Sequence, residues 1–191
     1  AREAANLIAL DGALFFTADF GNDGIELGRY DPETNKIELV ADIYPGSGDG
    51  APRSLINVNG ELWFIANDAL QDNKLWKYNF TTETAEEIVY SSENGLFPNL
   101  TDLHYFDDKL FFRGFIQGQG NELWILDIPN KTLLDFPEIY PGPAQSSPSG
   151  FFNFGDKLYF SASNLGERRE LRVYDPQIGE VQLVADINED G

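Results

Sequence analysis

The feature that most constrains this chain is a repeat of 48 residues run through four times. The segment ALFF at 13–16 returns as ELWF at 61–64, KLFF at 109–112 and KLYF at 157–160, so that Leu14, Leu62, Leu110 and Leu158 share one unit position. A second marker keeps the same period: ELGRY at 26–30, KLWKY at 74–78, ELWIL at 122–126 and ELRVY at 170–174, with Leu27, Leu75, Leu123 and Leu171 in register. Two markers held in phase over 191 residues leave little room for chance, and a period of this length signals an array of identical supersecondary units. Four units of 48 exceed the chain by one position. That phase suits a closed ring or one period of a longer array, and we expect the ring.

Each unit reads as four strands. The first two are joined by two residues: LIAL-DG-ALFF, LINV-NG-ELWF, LHYF-DD-KLFF and FFNF-GD-KLYF. Asp-Gly and Asn-Gly accept the positive φ values of a type I′ turn, and Asp107-Asp108 is a weaker version of it. The second strand is apolar on both faces, with Leu62, Phe64 and Ala66 on one and Trp63 and Ile65 on the other. Such a strand lies inside a stack of sheets. A third strand carries the ELW-type segment. Turns such as DPETN or DPQIG lead to a more charged outer strand, and a Pro/Gly/Ser segment leads on to the next unit. The expected fold is all-β: a four-bladed β-propeller of four antiparallel strands per blade, a single domain with blades near 1–53, 54–99, 100–149 and 150–191. Phe64 and Phe112 are expected to fill the space between blades.

Composition narrows the function. Thirteen Lys and Arg against 32 Asp and Glu leave a formal charge of −19, which repels phosphate backbones and anionic lipid and argues against nucleic-acid partners and membrane docking. A hydrophobic content of 42% is ample for a core, so the charge does not signal disorder. With no cysteine and one histidine, disulfides, thiolate chemistry and two-His metal sites within this chain are excluded. No apolar run reaches the length of a membrane span. The chain starts at Ala1 and has no methionine, so a processed or excised product is expected.

The third-strand segments ELWILD (122–127), KLWKYN (74–79), ELGRYD (26–31) and ELRVYD (170–175) resemble the ELWxxDG-type tandem repeat of large secreted and surface proteins of bacteria. The linker DIYPGSGDGAPRSLINVNGELWF (42–64) resembles the connecting segment of that family. The chain departs from the pattern where Pro32, Phe80, Ile128 and Pro176 stand in place of Gly after the Asp, or the Asn in the second unit. The resemblance implies a propeller-like protein outside the cytoplasm, secreted or at the cell surface, and implies no catalytic residues.

Several residues are candidates for a site. His104 takes a unit position filled elsewhere by Ile8, Ile56 and Phe152, which reads as a packing slot. Glu26, Glu122 and Glu170 share a position, with Lys74 in the second unit. Paired carboxylates about 5–9 Å apart could run glycoside chemistry. On the third strand of a ring they would stand too far apart, and we expect a solvated strand edge. Asp186, Asn188 and Asp190 before Gly191 match the opening of a calcium loop. Asp19, Asn22 and Asp23 form a looser version. The most varied loops lie between second and third strands; of these, 115–121 offers Phe115, Ile116, Gln117 and Asn121 as a ligand-binding set. Sequons begin at Asn79, Asn99 and Asn130. Taken together, these residues point to a non-enzymatic scaffold or binding module, with protein or glycan surfaces as partners, possible self-assembly and no certain cofactor beyond possible calcium. The alternatives are a lectin-like domain and a glycoside hydrolase-like enzyme.

Overall fold

The computed structural model describes residues 4–70, 73–92, 99–118, 120–134, 139, 145–164 and 168–187. They form four sheets. The first holds β1 (Ala5–Leu10), β2 (Ala13–Asp19), β3 (Ile25–Asp31) and β4 (Lys36–Ala41), and the second β5 (Arg53–Val58), β6 (Glu61–Asn67), β7 (Asn73–Asn79) and β8 (Thr84–Glu87). The third holds β10 (Asn99–Phe106), β11 (Lys109–Ile116), β12 (Gly120–Asp127) and β13 (Thr132–Leu133), and the fourth β14 (Ser149–Phe154), β15 (Lys157–Ala162), β16 (Glu170–Asp175) and β17 (Glu180–Ala185). Each is an antiparallel meander in chain order. The third sheet departs from four strands. Its outer strand β13 has two residues and pairs in parallel with a fifth, β9 (Ser91–Ser92). Sheets of this kind are propeller-like blades, and the fold is all-β.

The repeat is visible in the backbone as well as in the side chains. Asp11 and Gly12, Asn59 and Gly60, and Asp107 and Asp108 all take positive φ, the geometry of a type I′ hairpin. Asp107-Asp108 thus adopts the turn without glycine. The first strand of every sheet carries a bulge at one unit position, where Asn6, Ser54, Asp102 and Gly150 have φ between 51° and 67°. Such a bulge bends an inner strand and sharpens its twist. The turn into the fourth strand ends with Asn35, Glu83, Lys131 and Gly179 at positive φ, again 48 apart.

The sheets belong to two compact units, residues 1–89 and 90–191. Because 48 is even, odd and even positions of the second strand keep their faces from sheet to sheet. In the first unit the odd face of the first sheet (Ala13, Phe15, Leu27) packs on the even face of the second (Leu62, Phe64, Ala66, Tyr78). Phe15 meets Tyr78 with ring centroids 5.7 Å apart, and Phe80 stands edge-on to both. The second unit repeats the joint: Phe111, Leu123 and Ile125 pack on Leu158, Phe160, Ala162 and Tyr174, and Phe111 meets Tyr174 at 4.9 Å. Phe64 and Phe112 are fully buried, as the double-faced pattern of their strands requires.

Phe64→Ala is expected to cost about 3–5 kcal/mol, because an aromatic ring leaves a cavity in a sheet-on-sheet joint that cannot collapse. Phe154→Ala, at a position 69% exposed, is expected to change stability by less than about 0.5 kcal/mol. Urea denaturation of the two variants checks the contrast.

Candidate functional site

The recurrent carboxylates are buried, which corrects the expectation of a solvated edge. Glu26, Glu122 and Glu170 are 0%, 6% and 2% exposed. The reason lies in the linker that leaves each sheet. The segment after β4 curls over the start of β3, and its backbone N–H groups have no strand partner there. Glu26 supplies the acceptors: Ile43 donates to it at 2.9 Å, Tyr44 at 3.3 Å and Gly50 at 2.7 Å. Glu122 accepts from the backbone N–H and the hydroxyl of Ser146, at 2.7 and 2.5 Å. Glu170 accepts from the backbone of Ile187 at 2.8 Å. The donors fall at the same steps along the chain, 17 residues on for Glu26 and Glu170 and 24 residues on for Glu26 and Glu122.

Backbone bonds complete the fastening. The N–H of Ala51 donates to Ile25 and that of Ser147 to Asn121, at 2.8 and 2.9 Å, tying each linker to the third strand it has left. The N–H of Asn67 donates to Gly50 and that of Ser163 to Ser146, at 2.7 and 2.9 Å, tying it to the second strand of the next sheet. Ala51 and Ser147 both take positive φ to make the corner. Gly50 has no room for a side chain, since a Cβ there would lie 2.6 Å from a Glu26 carboxylate oxygen.

A buried carboxylate ringed by backbone donors is a structural anchor. Both oxygens of Glu26 and of Glu122 accept from the linker, and Glu170 accepts through one. Burial pushes the Glu26 carboxyl up to about 7, against the pull of its backbone donors, and neighbouring Asp42 adds to the rise.

Of the other candidate residues, Asn121 and Asp186 adjoin these anchors. Phe115 and Ile116 belong to β11 rather than to a loop: Phe115 pairs with Asn121 and Ile116 with Gly120, so the turn is shorter than the sequence suggests. Phe115 is 45% exposed, Gln117 is exposed, and the side chain of Asn121 donates to Gln145. The ladder therefore brings Phe115 and Asn121 side by side at the sheet rim. Of the calcium candidates, Asp186 is exposed next to the anchored Ile187, while Asn188 and Asp190 lie outside the described residues. Asp19 accepts from the backbone of Gly21 at 2.8 Å and so closes a local turn. Among the described residues no three His, Cys, Asp or Glu side chains gather as a metal site. His104 is half-buried, stacks on Phe151 and hydrogen-bonds Asn153 at 2.7 Å.

The fold has known counterparts. TolB from Acinetobacter baumannii superposes with a TM-score of 0.58 at 13% identity, over 96% of this chain and 44% of that one. Puromycin hydrolase superposes with a TM-score of 0.68 at 14% identity, over 96% and 29%. A putative TolB from Agrobacterium tumefaciens gives 0.59 at 10% identity, over 92% and 61%. At such identities the likeness concerns the fold alone, and the chain spans less than two thirds of the length of each of these proteins. No family model matches the chain, and no curated protein matches it.

The raised Glu26 carboxyl sets a pH dependence. A folded-state pKa above the ordinary 4.5 favours the protonated folded state, so its contribution to stability is full below about 4.5 and is lost as pH rises through about 7. The loss is on the order of 3 kcal/mol. Glu26→Gln removes this term. Melting temperatures of the two proteins between mildly acidic and mildly alkaline pH are therefore expected to converge or cross, with the wild type falling relative to the variant as pH rises. Parallel curves would contradict the assignment.

Proposed function

We propose that the chain is a non-enzymatic scaffold or binding module built of propeller-like blades, working outside the cytoplasm as part of a secreted or surface protein of the ELWxxDG-repeat kind. The observation that carries this reading is the use made of the repeat's recurrent glutamates. Glu26, Glu122 and Glu170 are spent on linker backbone and hold the frame. The ELW-type segment is thereby accounted for as architecture, since its Glu anchors the linker in three units and its leucine is buried at Leu27, Leu75 and Leu123. The likeness to TolB and to hydrolase chains supports a frame that accompanies other parts in larger proteins. No helix among the described residues is long and apolar enough to cross a membrane.

A lectin-like role has one observation in its favour. Phe115 is partly exposed and lies across the ladder from Asn121, and an aromatic face beside an amide is a common sugar-gripping pair. On this reading Gln117 and Ile116 flank the subsite. Calcium bound through Asp186, Asn188 and Asp190 would brace the end of the fourth linker.

Assays of the protein on peptide and polysaccharide substrates are expected to show no turnover at high protein concentration. Glu122→Gln is expected to lower the melting temperature without touching any activity. A turnover that this variant abolishes while still folded would overturn the reading. Glycan-array binding lost on Phe115→Ala would shift it to the lectin.

A further inference from the structure

The turn between β5 and β6 holds Asn59-Gly60, the one Asn-Gly pair among the described residues, and both residues are exposed. An asparagine followed by glycine can react with its own backbone, because glycine puts no side chain in the way. The Gly60 nitrogen gives up its proton and forms a bond to Asn59 Cγ, ammonia leaves with a proton, and a five-membered succinimide closes. Water then opens that ring at one of its two carbonyls, leaving aspartate or isoaspartate. One water enters and one ammonia departs.

The folded turn opposes ring closure in two ways. In the ring, Cβ and the following nitrogen stand eclipsed about the Cα–C′ bond. Asn59 has φ 52° and Gly60 φ 89°, the type I′ arrangement, in which ψ of the first residue is roughly +30°. Cβ of Asn59 and the Gly60 nitrogen are then about 150° apart around that bond, on opposite sides of it. Bringing them together takes a rotation that undoes the turn. The second obstacle is the proton. The Gly60 N–H donates to Asn57 Oδ1 at 2.7 Å, so the nitrogen gives up a hydrogen bond before it can attack. At the same place before the Asp-Gly turn of the first sheet stands Ala9, which has no side-chain acceptor. The strands resist opening as well: Val58 pairs with Glu61 and Asn57 with Leu62, and Val58 and Leu62 are 2% and 0% exposed.

We propose that Asn59 is a deamidation site closed by the folded turn, with Asn57 as its latch, so that the modification accumulates while the β5–β6 hairpin is open. The two products differ in fate. Aspartate gives the second turn the dipeptide of the first, Asp11-Gly12, which takes φ 50° and 73° at the same unit positions, so the folded state accepts it. Isoaspartate routes the main chain through the Cβ methylene and adds an atom to a two-residue turn. Pairing of Val58 with Glu61 in the present register does not tolerate that addition, since turn length fixes the register of a hairpin. A hairpin that opens and takes isoaspartate therefore does not close again as before. The site makes opening of this hairpin leave a covalent record, and it does so whatever the module binds.

The full chain is incubated at mildly alkaline pH, in native buffer and in denaturing urea, and peptide mass spectrometry follows the gain of one dalton at residue 59. Deamidation is expected to run roughly tenfold slower or more in native buffer, because only the open fraction reacts. Asn57→Ala is expected to speed the native reaction several-fold and to leave the rate in urea unchanged, while Asn57→Asp, which keeps an acceptor, stays slow. Urea denaturation of both variants separates loss of the latch from loss of global stability. Asn59→Asp is expected to fold and melt as the wild type does. Equal rates in native buffer and urea would overturn the gating. An Asn57→Ala rate no faster than wild type, or faster only in proportion to a lower global stability, would overturn the latch. Failure of Asn59→Asp to fold would overturn the acceptance of aspartate.

Discussion

A sheet whose second strand is apolar on both sides has to be covered twice. That requirement orders the rest of the structure. Leu62, Phe64 and Ala66 on one face of β6 and Trp63 and Ile65 on the other are all buried, and no single sheet can provide for both. Repetition of one unit answers the problem inside each compact unit, where an odd face meets an even face of matching residues.

Stacking alone does not fix where one sheet sits against the next; the linkers do. A linker crossing from an outer strand to the next inner strand carries backbone donors that no ladder can take up, and leaving them bare in a buried place costs more than a hydrogen bond returns. The glutamate at the head of the third strand meets that need in three of the four units. It collects donors from both ends of the linker in the first unit and so sets the linker's curvature, while the backbone bonds of Ala51 and Asn67 set its distance from the two sheets. The raised carboxyl of Glu26 records the cost of this arrangement: the anchor is held in place at the expense of its own solvation.

The sheets are legible in the sequence because their signals are local or strictly periodic. Type I′ hairpins announce themselves as Asp-Gly and Asn-Gly, and the paired faces follow from alternation. The start of each later sheet, at Arg53, Asn99 and Ser149, lies close to where the repeat phase puts it. The burial of the glutamates is not legible, for a physical reason. Charge at a strand end argues for solvent unless donors are known to converge there, and the donors sit 17 to 24 residues downstream on a segment with no periodicity. One signal does exist: the residue that accompanies them at the linker's end is Gly50 or Ser146, and both bring a backbone N–H to the carboxylate. The rim at Phe115 differs from its sequence reading because ladder pairing extends further than turn composition suggests. The bulge positions Asn6, Ser54, Asp102 and Gly150 carry a signal that hydropathy patterning passes over, since all four are residues that tolerate positive φ or bond locally.

The second unit's exception bears on the same logic. Lys74 stands where the other three have glutamate, and a cation cannot accept a backbone N–H. The linker that leaves this sheet is therefore built without the carboxylate anchor. It is also the linker in which the chain divides into its two compact units, between Val89 and Tyr90. Ile88 still donates its N–H to Leu75, at 2.8 Å, so the chain beyond β8 is held to β7 by a backbone bond.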